Sequence, residues 1–347
     1  MERTSSRLAI LAVTAPLALF TGCTPYAYSD GVNKFAAGAA AVSNGVSDGT
    51  AGIQTAKDDY QATIFAHDRR GVVLSPSECD PGLGPPPCRI ALSRATNAMP
   101  AEGDAPAAQA AEARLNNFTA VTTISASNLK QIHDNSQVFD AMKAYSAALV
   151  GVVNAADQTA LNSAATDFES ASQDAVSKLT TLAGGTAANG SANGAIASAA
   201  AGVGTDIIGL YLEHRRYLAL KHGVDAVDGQ LSTLAKPIKQ ALIALKSTRR
   251  AILVGRAQDL ENQLHPEVTA KLSWTDYTAL YTALQATLNQ INALDAVDTD
   301  KLVDVMVGAH NDLRKAIDEH KGQFSAFIKS AQDFYTKANA LHKALSS

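Results

Sequence analysis

The chain has 347 residues, of which 29 are lysine or arginine and 33 are aspartate or glutamate, so its net charge is −4. A protein that binds nucleic acid through phosphate contacts needs a basic surface, and this composition has no basic excess. Aromatic residues make up only 5% of the chain, strand-like alternation is absent, and apolar residues recur at helical spacing. These features predict an all-α protein.

The N-terminus carries Arg3 and Arg7, followed by an apolar run over residues 8–20 and small residues at its end. This order is typical of a secretory signal peptide. A run of thirteen residues that includes Pro16 rises only about 20 Å as a helix, against a hydrocarbon core of roughly 30 Å. We therefore expect residues 1–22 to be cleaved off.

The end of the signal segment reads FTGC and resembles the lipobox of bacterial lipoproteins. The resemblance covers the first 23 residues and implies a diacylglycerol on the sulfur of Cys23 and an acyl chain on its new amine. Each buried methylene contributes about 0.8 kcal/mol of membrane affinity, so several chains make a stable anchor. Because Thr24 rather than aspartate follows, the resemblance implies the periplasmic face of the outer membrane. An ordinary cleaved signal that leaves Cys23 as a plain thiol is the alternative.

After a tether over residues 23–30, an N-terminal helical part is predicted over residues 31–183. Its first helix has a coiled-coil-like seam of apolar residues on alternating three- and four-residue steps. The seam consists of Val32, Phe35, Ala39, Val42, Val46, Ile53, Ala56 and Tyr60. A stripe of glycines beside it repeats every seven residues, at Gly31, Gly38, Gly45 and Gly52. Each glycine costs a helix roughly 0.8–1 kcal/mol relative to alanine, so we expect close packing there, with coincidence or fraying as the alternative.

Residues 71–105 interrupt the helical pattern with several prolines and are expected to form a long loop. The loop contains Cys79 and Cys88, an even number of cysteines once the lipidated one is set aside. In an oxidising compartment such a pair predicts a disulfide, with a reactive dithiol as the alternative. Loops on rigid scaffolds commonly carry recognition, so this loop is a candidate interaction surface.

Further helices are predicted over residues 106–132 and 138–152, and another begins at Asp157, which has the character of an N-cap. The segment GGTAANGSANG at residues 184–194 is the clearest hinge in the chain. We place the main architectural division there. The C-terminal helical part, residues 195–347, is expected to pack with the first part.

The most apolar stretch of the mature chain lies at residues 195–212. Asp206 near its middle offsets the insertion free energy of its aliphatic residues, so we expect a buried helix against the glycine-bearing one rather than a membrane span. Apolar residues then keep one phase from 224 to 252 across Pro237. A single helix kinked at that proline is predicted.

Ser273, followed three residues later by Asp276, predicts the start of the next helix. The buried face of that helix is expected at Tyr277, Leu284, Leu288 and Ile291. After a turn near Asp298, a last helix of about 45 residues, near 65 Å long, is predicted. The fold as a whole is expected to be an elongated bundle of about seven or eight long helices.

The residues that could carry chemistry form no catalytic or metal-binding motif. The eight histidines are scattered, and H-E-x-x-H, C-x-x-C and G-x-S-x-G patterns are absent. His214 and His222, or His310 and His320, could meet further ligands across helices, although packed or solvated side chains are the plainer interpretation. We therefore expect no catalytic residues, no metal and no cofactor.

Three arginine pairs on predicted helices are the candidate binding residues. They are Arg69 and Arg70, Arg215 and Arg216, and Arg249 and Arg250. Gathered on one surface, they would form a patch for anionic lipid, lipopolysaccharide or cell-wall polymer. Solvated helix faces that pair with nearby acids are the alternative.

These features together predict a lipid-anchored protein of the cell envelope that acts by binding or scaffolding and is not an enzyme. Its expected partners are the membrane, through the anchor, and envelope proteins or cell-wall polymer, with no nucleic acid. Two other functions stay open. One is a membrane-active, pore-forming-like helical protein, and the other is an enzyme that acts on the cell wall.

Overall fold

The computed structural model describes residues 28–68, 72–75, 89–92, 105–123, 126–182, 208–265, 272–319 and 324–346. Over these residues the chain is a bundle of eight helices with one small two-stranded ribbon, which confirms the all-α helical bundle. The elements are α1 (Ser29–Asp68), β1 (Val72–Ser75), β2 (Arg89–Leu92), α2 (Ala105–Thr122), α3 (Ala126–Asn154), α4 (Gln158–Leu182), α5 (Ile208–Gln263), α6 (Trp274–Asp295), α7 (Thr299–Asp318) and α8 (Ser325–Ser346).

Several features predicted from the sequence lie outside the described residues. They are the signal segment 1–22, Cys23, Cys79, Cys88, Arg69, Arg70, His320, the hinge 184–194 and most of the apolar stretch that follows it. The lipid anchor and the disulfide therefore stay predictions.

Helix α1 lies at the centre of the bundle, where it packs against α8, α3 and α5. All eight residues of its predicted seam are buried, and none is more than 5% exposed. Phe35, within this seam, packs its ring 5.4 Å from that of Phe334 on α8. The coiled-coil-like seam of the first helix is confirmed.

The glycine stripe on α1 lets a neighbouring helix approach closely, as the spacing predicted. A Cβ added to Gly38 would lie 2.7 Å from the ring of Phe334. One added to Gly45 would lie 3.0 Å from the backbone of His342. Both neighbours belong to α8, whereas most of the segment 195–212 that the sequence suggested as the partner lies outside the described residues.

The segment predicted as a loop over residues 71–105 contains a ribbon. Strands β1 and β2 pair antiparallel, and Ser75 lies opposite Arg89. The prediction of irregular structure throughout this segment is therefore wrong. Short aliphatic runs such as VVL favour a strand, but four residues are too few for alternation to stand out. The residues between the strands include Cys79 and Cys88.

The first helix break after the ribbon lies at a different place from the predicted one. Helix α2 ends at Thr122, whereas α3 runs unbroken through residues 133–137, where the apolar spacing predicted a gap. The hydroxyl groups of Thr122 and Thr123 donate to the carbonyls of Phe118 and Thr119 at 2.6 Å. Such bonds to the preceding turn compete with the helical backbone pattern and favour an interruption.

Two predicted helix starts are confirmed by their caps. The Asp157 carboxylate accepts a hydrogen bond from the backbone N–H of Ala160 at 2.8 Å. The Ser273 hydroxyl oxygen accepts one from the N–H of Asp276 at 3.2 Å. Both bonds satisfy donors that the first turn of a helix leaves unpaired.

Helix α5 is the longest element, with 56 residues and Pro237 inside it. Its length is about 84 Å at 1.5 Å per residue, which allows it to contact α1, α2, α3, α4, α6 and α7. Val227 and Leu231 before the proline and Ile238 after it are all buried. The prediction of one helix in one phase across Pro237 is confirmed.

The predicted final helix of 45 residues is instead two helices, α7 and α8, that pack against each other. The break falls between Asp318 and Ser325, where the apolar spacing runs four, four, three rather than alternating. This irregular spacing corresponds to a change of direction and not to a straightened supercoil. Folding back buries the apolar faces of both helices against α1 and α5, which one straight rod could not do.

We predict that Gly38→Ala destabilises the protein, although alanine is the better helix former. The added methyl meets the ring of Phe334, which is fully buried, and such overpacking costs about 1–3 kcal/mol. Gly229→Ala in α5 is the matched control, because nothing lies within 4 Å of its Cβ position. It should stabilise by about 0.5–1 kcal/mol. Urea unfolding followed by circular dichroism measures both changes, and a Gly38→Ala variant at least as stable as Gly229→Ala would contradict the close approach.

Candidate functional site

The arginine pairs within the described residues do not form a surface patch. Arg215, Arg216 and Arg249 are only 3–4% exposed. Arg250 is exposed, and its Nε and Nη2 donate to the carboxylate of Asp295 at 2.7 and 3.0 Å. The predicted surface patch is therefore wrong for Arg215, Arg216 and Arg249, which are buried. Arg250 fits the alternative, an exposed residue paired with a nearby acid.

Arg216 holds the C-terminal end of α3. Its Nε donates to the carbonyl of Val152 at 3.1 Å, its Nη2 donates to that of Ala155 at 2.6 Å, and its Nη1 bonds Glu213. The last carbonyls of a helix lack partners within the helix and carry partial negative charge. A guanidinium can satisfy two of them at once, so Arg216 fastens α5 to the end of α3.

Arg249 binds the C-terminal end of α8, since its Nη1 donates to the carbonyl of Leu345. Burial lowers the pKa of Arg249. Gly52, the last glycine of the α1 stripe, makes room for this side chain: a Cβ there would lie 3.0 Å from its Cζ. Lys246, one turn earlier on α5, donates to the carbonyl of Val297 at 2.7 Å. Three basic residues of α5, Arg216, Lys246 and Arg249, thus donate to carbonyls at the ends of other helices.

A cavity of about 390 Å³ lies beside Arg249, where α1, α5, α6 and α8 meet. Its two acidic residues are already paired within the chain, Asp48 with His342 at 3.0 Å and Asp59 with Arg256 at 2.8 Å. The cavity therefore has mixed polarity and does not select a ligand of one charge.

A buried polar network joins three helices in the middle of the bundle. The hydroxyl of Tyr145 on α3 lies 2.8 Å from Nε2 of His310 on α7. Nδ1 of the same ring lies 3.2 Å from the carboxylate of Asp228 on α5, which Arg314 also approaches at 3.2 Å. Burial raises the pKa of Tyr145 well above its usual value.

The network is sealed from solvent at its centre. His310 is fully buried, and its ring lies 6.0 Å from that of Phe35 and 5.7 Å from that of Tyr145. A hydrogen-bonded Tyr, His and Asp set could relay a proton, but the Tyr145 and His310 side chains are fully buried. The network instead links α3, α5 and α7 through hydrogen bonds and an ion pair between their side chains.

Helix α6 turns a different face to the bundle from the predicted one. Thr287, Ile291 and Leu294 are buried, and Leu284 is half-buried. Of the four residues expected to be buried, only Ile291 is fully so, and Leu288 is 43% exposed. The predicted face was wrong by a fraction of a turn, because α6 is apolar over a wider arc than one neighbour covers.

The uncovered part of that arc is a row of large side chains, which we call the α6 strip. It consists of Trp274, Tyr277, Tyr281 and Leu288. Trp274 is 81% exposed and Tyr281 is 46% exposed. The rings of Trp274 and Tyr277 stack at 5.9 Å, and those of Tyr277 and Tyr281 stack at 6.4 Å. Gln285 donates to the hydroxyl of Tyr281 at 2.8 Å, which further orients that ring.

The helix that carries the strip has no ionisable acid or base over an 18-residue stretch, from 277 to 294, apart from its tyrosines. Its exposed polar residues there are threonine, glutamine and asparagine. The solvent face of a surface helix normally carries charged residues. An exposed apolar row on an uncharged helix is typical of an interaction surface.

The sequence contained a signal for this strip that the buried-face prediction did not use. The steps from Trp274 through Leu288 alternate between three and four residues, and the helix lacks charges from 277 to 294, after Asp276. For the buried network the signal was weaker, since His310 and Asp228 lie directly beside seam residues. Only the fold could bring them to Tyr145.

The chain matches no known family model, no curated protein and no solved structure. Within the described ranges, no cluster of three or more histidine, cysteine or acidic side chains is placed to hold a metal ion. In the same part of the chain, no helix combines the length and the apolar character needed to cross a membrane. The α6 strip is therefore our candidate functional site.

We predict that Arg216→Met destabilises the protein by about 2–3 kcal/mol, because the carbonyls of Val152 and Ala155 lose a charged donor. Arg250→Met is the matched control from another of the arginine pairs. It removes only an exposed ion pair with Asp295 and should cost at most about 1 kcal/mol. Chemical unfolding of both variants measures the difference. Equal effects would mean that Arg216 does not cap α3.

We predict that Asp228→Asn weakens the protein at pH 7 and that this effect shrinks in acid. The hydrogen bond from His310, helped by the charge of Arg314, holds the pKa of Asp228 below its usual value despite burial. A lowered folded pKa contributes stability above the unfolded value, near 3.9, and that contribution is lost as the pH falls through the folded value.

Unfolding free energies at pH 7, pH 4 and pH 3 measure this effect. The gap between the wild-type protein and Asp228→Asn should narrow from pH 4 downward. Asp304→Asn, which alters an exposed pair with Lys239, should show a small gap throughout. A gap for Asp228→Asn that stays constant to pH 3 would mean that the carboxylate contributes nothing through its charge.

Proposed function

We propose that this protein is a lipid-anchored scaffold of the cell envelope that binds a partner through the α6 strip and catalyses no reaction. The observation that supports this most is the strip itself, four large side chains presented by an uncharged helix. The proposal combines this surface with the lipidation of Cys23, for which the FTGC resemblance is the support.

The start of α1 marks the end of the bundle next to the proposed anchor. Tyr28 packs its ring 4.9 Å from that of Phe324, and the Ser29 hydroxyl donates to Asn154 at 3.1 Å. Cys23 precedes Tyr28 by five residues, which span at most about 18 Å. A lipid on Cys23 would therefore hold this end of the bundle near the membrane.

The α6 strip lies on the half of the bundle that is away from the start of α1. Asp59, thirty residues after the start of α1 and so about 45 Å along it, pairs with Arg256 near the end of α5. Helix α6 follows α5 after a ten-residue connection and returns alongside it until Asp295 meets Arg250. Trp274 therefore lies toward the end of α5, away from Tyr28. The ribbon follows the end of α1 and belongs to the same half.

This arrangement suits a scaffold. A rod held at one end and equipped with a binding surface near the other presents that surface tens of ångströms above the membrane. The chemistry of the strip also favours one class among the expected partners. It offers no positive charge to anionic lipid, lipopolysaccharide or an anionic cell-wall polymer, whereas large aromatic and aliphatic side chains are the residues that anchor protein interfaces.

Fractionation of cells that produce the full chain, followed by native gel electrophoresis of detergent extracts, tests the proposal. The wild-type protein should stay with the membranes and migrate as a complex larger than a single lipidated chain. Cys23→Ala should move to the soluble fraction, because no lipid can be attached. Tyr281→Asp should stay in the membrane fraction but lose the larger complex, since a charge in the strip opposes burial.

Matched variants serve as controls for the two parts of the proposal. Cys79→Ser removes a cysteine but not the lipidation site, and it should remain membrane-bound. Thr282→Asp places the same charge on an exposed part of α6 beside the strip, and it should keep the complex. Membrane retention of Cys23→Ala would overturn the anchor, and an unchanged complex with Tyr281→Asp would overturn the binding role of the strip.

A further inference from the structure

The spacing of the α6 strip is that of a coiled-coil seam. From Trp274 the steps run three, four, three and four residues, through Leu284, to Leu288. This seam extends for about 21 Å along the helix. Side chains in such a row insert between those of a second helix. The strip therefore fits a helix better than an extended peptide or a flat surface.

The residues beside the strip are complementary to themselves. Thr278, Gln285, Asn289 and Asn292 are all exposed and flank it on the side away from the bundle. Thr278 and Gln285 already donate within α6, to the carbonyl of Trp274 and the hydroxyl of Tyr281. The side-chain amides of Asn289 and Asn292 each have a donor and an acceptor, so each can pair with the same group of a second copy. In coiled coils that choose a different partner, flanking positions commonly carry charges that set the choice. Such charges are missing here.

The lack of charge in the stretch from 277 to 294 is compatible with self-association. Two copies of this acidic chain repel one another overall, and the repulsion is least where two uncharged surfaces meet. A two-fold symmetric pair uses the same patch on both copies, which requires a patch that does not repel itself. The stretch of α6 from 277 to 294 meets this requirement.

We infer that the α6 strip binds the α6 strip of a second copy of this chain, so that two copies associate through a helix pair. This inference rests on the proposed binding role of the strip and names its partner. The stacking of Trp274, Tyr277 and Tyr281 orients these rings before association, which reduces the side-chain entropy lost on pairing.

Photo-crosslinking in living cells tests the partner. A photo-crosslinking phenylalanine derivative replaces Tyr281 in the full-length chain, and two versions with different affinity tags are produced in the same cell. The expected product has about twice the mass of one 36.1 kDa chain, carries both tags, and joins two α6 peptides in mass spectra. The same derivative in place of Ala286, which is exposed on another face of α6, should give at least tenfold less of this product.

The other possible results separate self-association from the binding role of the strip. A crosslink from position 281 to a different protein, with none from position 286, would overturn self-association and leave the binding role of the strip standing. Crosslinking from position 281 no stronger than from position 286 would overturn both.

A charged variant gives a second measure. Leu288→Glu, with the crosslinker at position 281, should reduce the double-tagged product at least tenfold, because association would bury a charged carboxylate in the apolar row. Ala286→Glu should leave it unchanged. Circular dichroism of each purified full-length variant verifies that the helices are intact, which is expected because both positions are exposed. An undiminished product with Leu288→Glu would overturn the inference.

Discussion

The close approach of α1 and α8 is the constraint on which the rest of the bundle depends. It requires the glycine stripe, because an added methyl at Gly38 would lie 2.7 Å from the ring of Phe334. Seated in this way, Phe334 lies 5.4 Å from Phe35, and Phe35 in turn packs against His310 of the buried network. The stripe ends at Gly52, where the missing side chain makes room for Arg249 to reach the end of α8. One row of small residues thus sets the helix spacing, the network and a helix cap.

Helices α5 and α6 place their charged and uncharged side chains in opposite ways. Helix α5 takes Arg216 and Arg249 into the interior, where they satisfy the carbonyls that end α3 and α8. Helix α6 has the opposite arrangement, since its uncharged stretch with Trp274 and Tyr281 is open to solvent. Buried charges with backbone partners favour one arrangement of the helices. Exposed apolar residues without a covering helix gain little from burial in the monomer, which is why we propose a binding role for the α6 strip.

Residue spacing predicted the elements that have one apolar face and one neighbour. The seam of α1, the continuity of α5 across Pro237 and the caps at Asp157 and Ser273 followed from local pattern and hydrogen-bond chemistry. Residue spacing gave a wrong prediction where a helix is apolar over more than one face, as α6 is, and where the chain turns back, as it does between α7 and α8. On α6 it selected the correct arc in part, but not the portion that the bundle covers. Between α7 and α8 it continued a pattern that belongs to two separate helices.

The sequence by itself determined the helical class, the positions of the seams, the need for a close neighbour along the glycine stripe and the presence of an uncharged helix from 277 to 294. These are properties of local periodicity and of side-chain size, which act over a few residues. The tertiary structure decided that the stripe belongs to α8, that Arg216 bonds carbonyls more than sixty residues away, and that Tyr145, Asp228 and His310 meet. Such pairings depend on how rigid helices stack, and local spacing carries no information about which distant partner a given face will meet.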